Sequence, residues 1–428
     1  MRAFIGFYNV FIIPLLYLFF RISGLFNKKI ARGINGRKDL LVNLERNFQN
    51  LPHAQTTFLT HAASMGEYEQ ARPVLRLLRK QFPDARIILS LFSPSAFENI
   101  KPNPDVHVIT YLPFDSSHAV KKFLNIVRPD FLLITRHDIW PNLVWHAKQN
   151  GVKTFLIDAS VHEGSLRHKP VVRNFNRLLF SCFDTICVIS EPALEGLRKF
   201  LSPNQNIVIT GDTRFDQVVA RTKEIKAEDL LPASILKDAQ IFIAGSTWPE
   251  DEDVVIPAFR AAQQKIPGLR LIFVPHELTA EHFNSALNLC KSLGLQSGKL
   301  SEFDQRNGTI DALLVDKMGI LANLYGAGQA AYVGGSFGPG VHSVIEAAAH
   351  KIPVTFGPRM RNSAEAIEMV EHKCGFSIST VDELSSYLIE WFSSPETLEN
   401  LSGKAAQFVA ARSGASQRIL ELIVKTIS

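Results

Sequence analysis

The run TFLTHAASMGEYEQARPVL, residues 57–75, carries the clearest sign of the architecture. It opens with a short apolar stretch, continues through small residues and Gly66, and then takes up the spacing of an amphipathic helix after Glu67. A buried strand that turns through glycine into a helix is the first half of a β-α-β unit. The run therefore predicts a Rossmann-like domain with a parallel sheet.

The same alternation recurs through the rest of the chain. Other strand-like runs are RIILSLF, VHVITYL, FLLITRHDIW, KTFLIDAS, TICVIS and NIVITGD, and then QIFIAGS, LRLIFVPHE, ALLVDK, AAYVGGS and IPVTFGP. A polar, helix-prone stretch from about residue 217 to 237 separates the two series. A chain of 428 residues exceeds one ordinary core, so we expect an α/β fold with two doubly wound Rossmann-like domains. Ligands of such sheets bind beyond the carboxyl ends of the strands.

Composition limits the class of protein. Hydrophobic residues make up 46% and charged residues 20%, which is typical of a folded globular chain and argues against long disordered segments. The four cysteines are scattered without a CxxC pair, so we expect neither a disulfide framework nor a metal site, and a reducing cytoplasm is the simplest setting. A formal charge of +5 is too mild to indicate nucleic acid as a partner.

The N-terminus has the composition of a membrane anchor. Residues 3–20, AFIGFYNVFIIPLLYLFF, carry no charge and would extend about 27 Å as a helix. No A-x-A-like cleavage site follows, and six lysines and arginines lie between residues 21 and 38, which favours the cytoplasmic side and anionic lipid headgroups. Asn9 and Pro14 interrupt the run, so a helix that spans the membrane and one that lies on it both stay open.

Three places in the first half could carry chemistry. Glu67 lies in the first turn after a strand end, where a carboxylate suits a general base, although such a residue is also common as a partner of the helix dipole. Arg136 and Asp138 follow another strand, in TRHDIWPN. Arg214 follows a third, in VITGDTRFD, where a cation can bind a phosphate or carboxylate, or simply lie on the surface.

The second half holds the denser set of motifs: VPHE (274–277), DKMGI (316–320), GGSFGPGVHSVIEAA (334–348) and FGPRMRN (356–362). A glycine-rich loop after the strand AAYV leads into a helix start, where backbone N–H groups with Ser336 and Ser343 can form a phosphate nest. Glu346 in the first turn of that helix can accept hydrogen bonds from ribose hydroxyls. A nucleotide site is the hypothesis, while glycines that serve only close packing are the alternative.

Together these motifs resemble those of the 3-deoxy-D-manno-octulosonic acid (Kdo) transferases, the glycosyltransferases of lipid A and lipopolysaccharide biosynthesis. HAASMGE is similar to the family's HAxSxGE, DIWPN to ELWPN, GDTRFD to GxLKFD, and GVHSVIEAAAHKIPVTFGP to GGHNPLEPAAxGKPVLFGP. The likeness covers nearly the whole chain and implies the GT-B fold class. Within it we predict an N-terminal membrane anchor helix at 1–27, an acceptor-binding domain at 28–217, a linker at 218–240, a CMP-sugar-binding domain at 241–405 and a C-terminal helix at 406–428.

The resemblance also implies roles for residues. It makes Glu67 the base that deprotonates the acceptor and Arg214 the stand-in for a lysine that stabilises the leaving group. It implies inverting transfer of Kdo from CMP-Kdo to a lipid A precursor, lipid IVA, at the cytoplasmic face of the cell inner membrane, in contact with its lipids and without cofactor or metal. The implied CMP site consists of Pro275, His276, Met318, Gly319, Ile320, Ser343, Val344, Ile345 and Glu346. The phosphate-nest hypothesis adds Ser336 to this set.

Some positions depart from the family pattern. Arg136 and Asp138 occupy the places of the two glutamates in ETELWPN, so a transition-state role for the first does not transfer. GIL replaces GEL after the DKM motif, and HSVIE replaces HNPLE. Two alternatives therefore stay open: a UDP-sugar-dependent GT-B enzyme, and a non-catalytic, lipid-binding relative.

Overall fold

Each half of the chain builds a seven-stranded parallel sheet. The computed structural model describes residues 2–161, 170–303 and 310–427. They divide into two units, one formed by Met1–Gln217 with Ser413–Ser428 and the other by Val218–Arg412. The division after Gln217 lies where the polar, helix-prone stretch begins, and it falls inside a helix.

The first sheet has the order β3-β2-β1-β4-β5-β6-β7. Its strands are β1 (Thr57–Ala62), β2 (Arg86–Leu91), β3 (Val108–Tyr111), β4 (Phe131–Thr135), β5 (Lys153–Ala159), β6 (Thr185–Val188) and β7 (Ile207–Ile209). Every residue of β1 and β4 is buried, which explains why these strands are continuous apolar runs rather than alternating ones. The seven predicted runs of the first half are thereby confirmed as strands.

Helices cover both faces of this sheet. They are α1 (Arg2–Phe7), α2 (Ile13–Phe26), α3 (Lys28–Asn35), α4 (Leu40–Gln49), α5 (Met65–Gln81), α6 (Pro94–Asn99), α7 (Ser117–Val127), α8 (Pro141–Gln149), α9 (Pro170–Phe180), α10 (Glu191–Arg198) and α11 (Thr213–Arg221). Ser64 caps α5, since its hydroxyl accepts a hydrogen bond from the Glu67 N–H at 3.3 Å. Leu59 and Leu132 face one apolar core, and Phe58 and Leu133 face the core on the other side.

The N-terminal apolar helix docks on the first unit by one side. A π-helical segment, Tyr8–Ile12, joins α1 to α2, and its polar residues point inward. The Tyr8 hydroxyl donates to Asp115 at 2.9 Å, and the side chains of Asn9 and Asn142 exchange hydrogen bonds of 2.8 and 2.9 Å. The stretch Phe4–Phe26 is long and apolar enough to cross a membrane. Its outward side chains are exposed, for example Leu18 at 54%.

The second sheet has the order β10-β11-β9-β8-β12-β13-β14. Its strands are β8 (Gln240–Thr247), β9 (Leu269–Pro275), β10 (Ser297–Lys299), β11 (Ala312–Leu314), β12 (Ala330–Val333), β13 (Val354–Phe356) and β14 (Gly375–Ser377). Its helices are α12 (Ala233–Leu236), α13 (Pro249–Gln263), α14 (Ala280–Ser292), α15 (Leu321–Leu324), α16 (Val344–Ala348), α17 (Ala364–Glu371), α18 (Val381–Ser393) and α19 (Pro395–Arg412). The five predicted runs of this half are strands, whereas β10 and β14 were not foreseen.

The chain returns to the first unit through α20 (Ala415–Ile427). Residues 406–428, expected as one helix, instead contain the end of α19, a break at Ser413 and Gly414, and α20. Gly414 has a φ of +90°, which ends the helix, and its N–H donates to Asp216 at 2.5 Å. Asp216 also accepts from the N–H of Ser416 at 2.7 Å. Ile419 and Ile423 of α20 then complete the apolar core beside β1.

Candidate active site

The first group of candidate residues lies where the strand order of the first sheet reverses. β1 and β4 are neighbours, and the chain leaves them in opposite directions across the sheet, to β2 and to β5. The carboxyl ends of such strands open a crevice that binds ligands in doubly wound folds. Glu67 follows β1 and Asp138 follows β4, so the fold brings the two predicted carboxylates to one crevice.

Glu67 is held in place by its own turn. Its Oε2 accepts a hydrogen bond of 2.6 Å from the N–H of Ala63, at the end of β1. Burial raises the pKa of the Glu67 carboxyl, and the Ala63 hydrogen bond opposes that rise. The charge of Asp138 raises the pKa further, while His61 lowers it. A raised pKa in a crevice is the property expected of a general base that works near neutral pH.

His61 is a member of this group that the sequence reasoning left without a role. Its ring is fully buried, and Nδ1 lies 3.1 Å from the carbonyl oxygen of Ser90. Nε2 lies 3.9 Å from Asp138 Oδ2 and has no hydrogen-bond partner among the described residues. A carbonyl can only accept, so the Ser90 oxygen favours a proton on Nδ1. The motif HAASMGE contained this signal, because the histidine side chain lies on the same strand end as Glu67.

Asp138 and Arg136 differ in how firmly they are held. Asp138 accepts a hydrogen bond of 3.1 Å from the indole N–H of Trp140. Arg136 has a φ of +69°, a left-handed conformation that is unfavourable for arginine, and its N–H donates to Ile157. Among the described residues, no side-chain hydrogen bond or ion pair holds the Arg136 guanidinium. This half-buried cation therefore stands next to the crevice, where the family pattern has a glutamate.

Arg214 belongs to a separate polar cluster at the end of β7. Asp212 binds its guanidinium through two hydrogen bonds of 2.6 and 2.8 Å. Asp158, at the end of β5, accepts from the N–H of Thr213 at 3.0 Å, and burial raises the pKa of its carboxyl. Further along α11, Gln217 donates to Glu69 at 2.7 Å and so joins α11 to the helix that carries Glu67.

In the second unit the strand order reverses between β8 and β12, and a glycine loop lies there. A side chain on Gly334 would place its Cβ only 2.2 Å from the Ser246 carbonyl oxygen, so glycine is required for this close approach. The fully buried Asp251 fixes the loop, since it accepts from the N–H of Gly335 and the hydroxyl of Tyr332, both at 2.7 Å. Sequence reasoning missed Asp251, because an acidic residue in a first helical turn is common.

Three rings stand together above this loop. His276 stacks on Trp248 with ring centroids 5.0 Å apart and on His342 at 4.3 Å. The Trp248 indole N–H donates to His342 Nε2 at 3.0 Å, and burial together with the neighbouring His276 lowers the pKa of His342. A neutral imidazole stacked on aromatic rings is a suitable neighbour for a heterocyclic base. Trp248 was absent from the predicted set.

The other predicted nucleotide-site residues fall into two groups. Met318 is 83% exposed, and beside it Gly319, with a φ of +80°, faces open space ahead of Ile320. Ser343 is exposed at the start of α16 and makes no side-chain capping bond. Buried side chains are those of Pro275, Ser336, Val344 and Ile345, and Glu346 is half-buried.

Ser336 has a structural partner. Its hydroxyl accepts a hydrogen bond of 2.6 Å from the N–H of Gly357, at the end of β13, so the side chain connects two strand ends and faces away from solvent. Over the described ranges, no three His, Cys, Asp or Glu side chains form a group that could hold a metal ion. The four cysteines are buried free thiols.

Comparison with known proteins shows which enzymes the chain is similar to. A family model described as 3-deoxy-D-manno-octulosonic-acid transferase matches residues 42–217. A Haemophilus influenzae 3-deoxy-D-manno-octulosonic acid transferase is 27% identical over 376 residues, 87% of each chain. The enzyme of the same name from Aquifex aeolicus is 28% identical over 348 residues, 81% of this chain and 88% of its own.

The chain resembles the Kdo transferases over most of its length. A solved structure shows the same fold in both units. UDP-GlcNAc 2-epimerase from Neisseria meningitidis aligns with a TM-score of 0.62 over 86% of this chain and 100% of its own, at 14% identity. Two Rossmann-like units with a GT-B-type fold are thereby confirmed. Against the family motifs quoted above, Glu67 keeps the expected residue type, whereas Arg136, Arg214 and the stretch HSVIE depart from it.

Proposed function

We propose that this protein is a glycosyltransferase that moves Kdo from CMP-Kdo to a lipid A precursor, lipid IVA, in lipopolysaccharide biosynthesis. Similarity to known enzymes supports the reaction class, since relatives that align over most of both chains are named Kdo transferases. The observation that carries the proposal is the position of Glu67 in the crevice between β1 and β4, with burial raising its pKa. A non-catalytic relative would have no need of a base held in this way.

Glu67 accepts the proton of the acceptor hydroxyl in this mechanism. The hydroxyl oxygen forms a bond to the anomeric carbon of Kdo as the bond from that carbon to the phosphate oxygen of CMP breaks. CMP leaves with the electron pair, the configuration at the anomeric carbon inverts, and the proton ends on Glu67.

The donor nucleotide occupies the second unit. The rings of Trp248, His276 and His342 provide an apolar platform for cytosine, and the exposed Met318 and Gly319 lie on the loop after β11. Main-chain N–H groups at Ser343–Ile345 start a helical turn without a side-chain cap and can donate to a phosphate. Glu346 accepts from the ribose hydroxyls. In this scheme residues 28–217 bind the acceptor, 241–405 bind the donor, and 218–240 connect them.

Two arginines balance the negative charge of the reactants. Arg214, oriented by Asp212, stabilises the phosphate of the leaving CMP. Arg136 lies next to Asp138 in the crevice, where the family has a glutamate, and is available to the carboxylate of Kdo or a phosphate of the acceptor. Asp138 keeps an acidic side chain at the position of the second glutamate in the family motif ETELWPN.

The N-terminal helix attaches the protein to the cytoplasmic face of the inner membrane. Tyr8 and Asn9 are bonded to the protein, and Phe20 packs against Phe92 and Phe114 with centroids 6.1 and 5.1 Å apart. These contacts hold the helix against the protein at Tyr8, Asn9 and Phe20, which favours a position on the membrane rather than across it. The basic residues after it then meet anionic headgroups.

The test is release of CMP and mass-spectrometric detection of the Kdo-containing lipid, with purified full-length protein, CMP-Kdo and lipid IVA. Matched reactions replace CMP-Kdo with UDP-N-acetylglucosamine or omit the acceptor. We expect acceptor-dependent CMP release and no reaction with the UDP-sugar. Turnover of the UDP-sugar alone would move the assignment to another GT-B enzyme. Binding of lipid IVA without any turnover would support the lipid-binding relative.

A further inference from the structure

A cavity of about 900 Å³ lies within the first unit, beneath the N-terminal helix. Three elements enclose it: α2, the start of α4, and α7 with the loop that precedes it. Ile13, Leu16 and Phe20 face it from α2, Leu41 from α4, and Ile126 from α7. The wall is thus largely aliphatic and aromatic. Apolar volume of this size, open to solvent, is unusual for a structural gap and typical of a ligand pocket.

One end of the cavity is built from packed aromatic rings. Phe20 packs on Phe114 at 5.1 Å, and Phe92 stacks on Trp140 at 4.6 Å between centroids. Arg37 also lines the cavity and fixes this end, since its guanidinium donates to the carbonyl oxygens of Gly33, Phe92 and Leu112 at 2.7–2.8 Å. The aromatic end is therefore fixed before any ligand arrives.

That end adjoins the candidate base. Trp140 lines the cavity, and its indole N–H donates to Asp138, which lies 3.9 Å from His61 and whose charge acts on Glu67. A molecule that filled the cavity up to Trp140 would have its head group at the crevice between β1 and β4. Trp140 and Asp138 thus connect the cavity to the neighbourhood of the reacting carboxylate.

The opposite end meets the outward side of the N-terminal helix. Tyr17 and Val42 line the cavity and are 49% and 60% exposed, and Leu18 and Ile22 continue the exposed apolar surface of α2. Lys38, Asp39, Glu45 and Lys122 also line the cavity. Arg37 and Asp115 line it too, but both are hydrogen-bonded to the protein, so a chain that enters from a membrane on that side meets mainly apolar side chains.

We propose that this cavity holds one acyl chain of the lipid acceptor, so that its sugar hydroxyl meets Glu67. The inference rests on the proposed transfer to a lipid acceptor and adds the place where the lipid is bound. The mainly apolar wall favours an acyl chain over a sugar as the occupant, and the aromatic side chains at Trp140 lie where the chain approaches the head group. The other acyl chains stay in the membrane.

Photolabelling tests the site without relying on turnover. The probe is phosphatidic acid with a diazirine in one acyl chain, mixed into vesicles that carry the full-length protein, and labelled peptides are mapped by mass spectrometry. We expect label on Leu41 and Ile126 inside the cavity as well as on Leu18 and Ile22 outside it. Lipid IVA should remove the inner label and leave the outer label. Dodecyl phosphate should protect the inner positions about tenfold better than decyl phosphate, as expected for two buried methylene groups.

Two substitutions fill the cavity from opposite walls: Ala119→Trp on α7 and Leu16→Trp on α2. Each should remove the inner label and raise the half-saturating concentration of lipid IVA at least tenfold, while turnover of a deacylated acceptor is unchanged. His118→Trp, at the exposed neighbouring position, is the matched control and should behave as wild type. Thermal melting identifies a variant that fails to fold. If one cavity variant does not fold, the other cavity variant provides the test.

The outcomes separate the two proposals. Absence of label at Leu41 and Ile126, or inner label that lipid IVA does not displace, overturns the acyl-chain site even if Kdo transfer is observed. Equal loss of turnover on acylated and deacylated acceptors in both cavity variants also overturns it. Displaceable inner label in a protein that releases no CMP supports the lipid site and counts against the proposed reaction.

Discussion

Replacing Glu67 by glutamine should lower kcat by orders of magnitude and leave the fold intact. The glutamine carbonyl can still accept the hydrogen bond that Glu67 takes from the Ala63 N–H at 2.6 Å, so the turn after β1 keeps its partner. A charged acceptor contributes about 1.5–3 kcal/mol and a neutral one about 1 kcal/mol, so Glu67→Gln should cost no more than about 2 kcal/mol of stability. Loss of a general base lowers kcat roughly 10²–10⁴-fold.

The comparison with Glu67→Ala separates catalysis from structure. Alanine removes both the base and the acceptor for Ala63, so it should lower the melting temperature more than glutamine does while giving the same kcat. A domain typically has about 5–15 kcal/mol of stability, so neither variant loses activity through unfolding. The assay is CMP release at saturating substrates, with melting followed by circular dichroism. A Glu67→Gln enzyme that keeps more than a tenth of wild-type kcat would refute the assignment.

The pH profile gives an independent check on the same residue. Glu67 must be ionised to act, so the rate should rise with pH through its pKa, which burial and Asp138 place above the usual glutamate range. Asp138→Asn removes one of the raising charges, and the acid limb of kcat should move to lower pH. A limb that stays fixed, or moves up, would mean that another group controls it.

Further expectations concern donor binding, leaving-group stabilisation and stability. Trp248→Phe keeps the ring but loses the hydrogen bond to His342, so the half-saturating CMP-Kdo concentration should rise about fivefold, as measured by initial rates, with kcat nearly constant. Arg214→Ala should lower kcat about 10²–10³-fold, whereas Arg214→Lys, which restores the family residue, should keep most of the rate. Asp115 is fully buried, and burial raises the pKa of its carboxyl to about 7 from the ordinary 3.8. The folded state therefore holds a proton that the unfolded state releases, and the free energy of unfolding should fall as pH rises from 4 to 7. Urea denaturation at pH 5 and pH 8 should differ by roughly 3 kcal/mol, and Asp115→Asn should lose that difference.

Local pattern was enough to predict most of the sheets. A strand buried on both faces, such as β1, reads as an unbroken apolar run, and a glycine or proline turn marks its end. By the same reasoning β10 and β14 were missed, because three-residue strands with glycine among them show no such run. Their place is set by pairing with β11 and β13, which no local pattern contains.

The candidate site was predictable where a motif lies at a strand end, and not where residues meet through the fold. Glu67 and Asp138 were both found, because each follows a buried strand and neighbouring parallel strands end at the same edge. Asp251 and Trp248 were missed, since their partners in the glycine loop lie about 90 residues away. The polar interruption at Asn9 also had no local explanation, and its partner Asn142 supplies one.

The return of α20 to the first unit reverses the usual order of folding during synthesis. Domains generally fold from the N-terminus as the chain leaves the ribosome. Here the apolar side chains of Ile419 and Ile423, and the amides that Asp216 accepts, emerge only after residues 218–412 have been made. The second unit can therefore reach its native state while the first still waits for its final helix. A nascent chain stalled near residue 400 would expose the core beside β1 to chaperones and proteases.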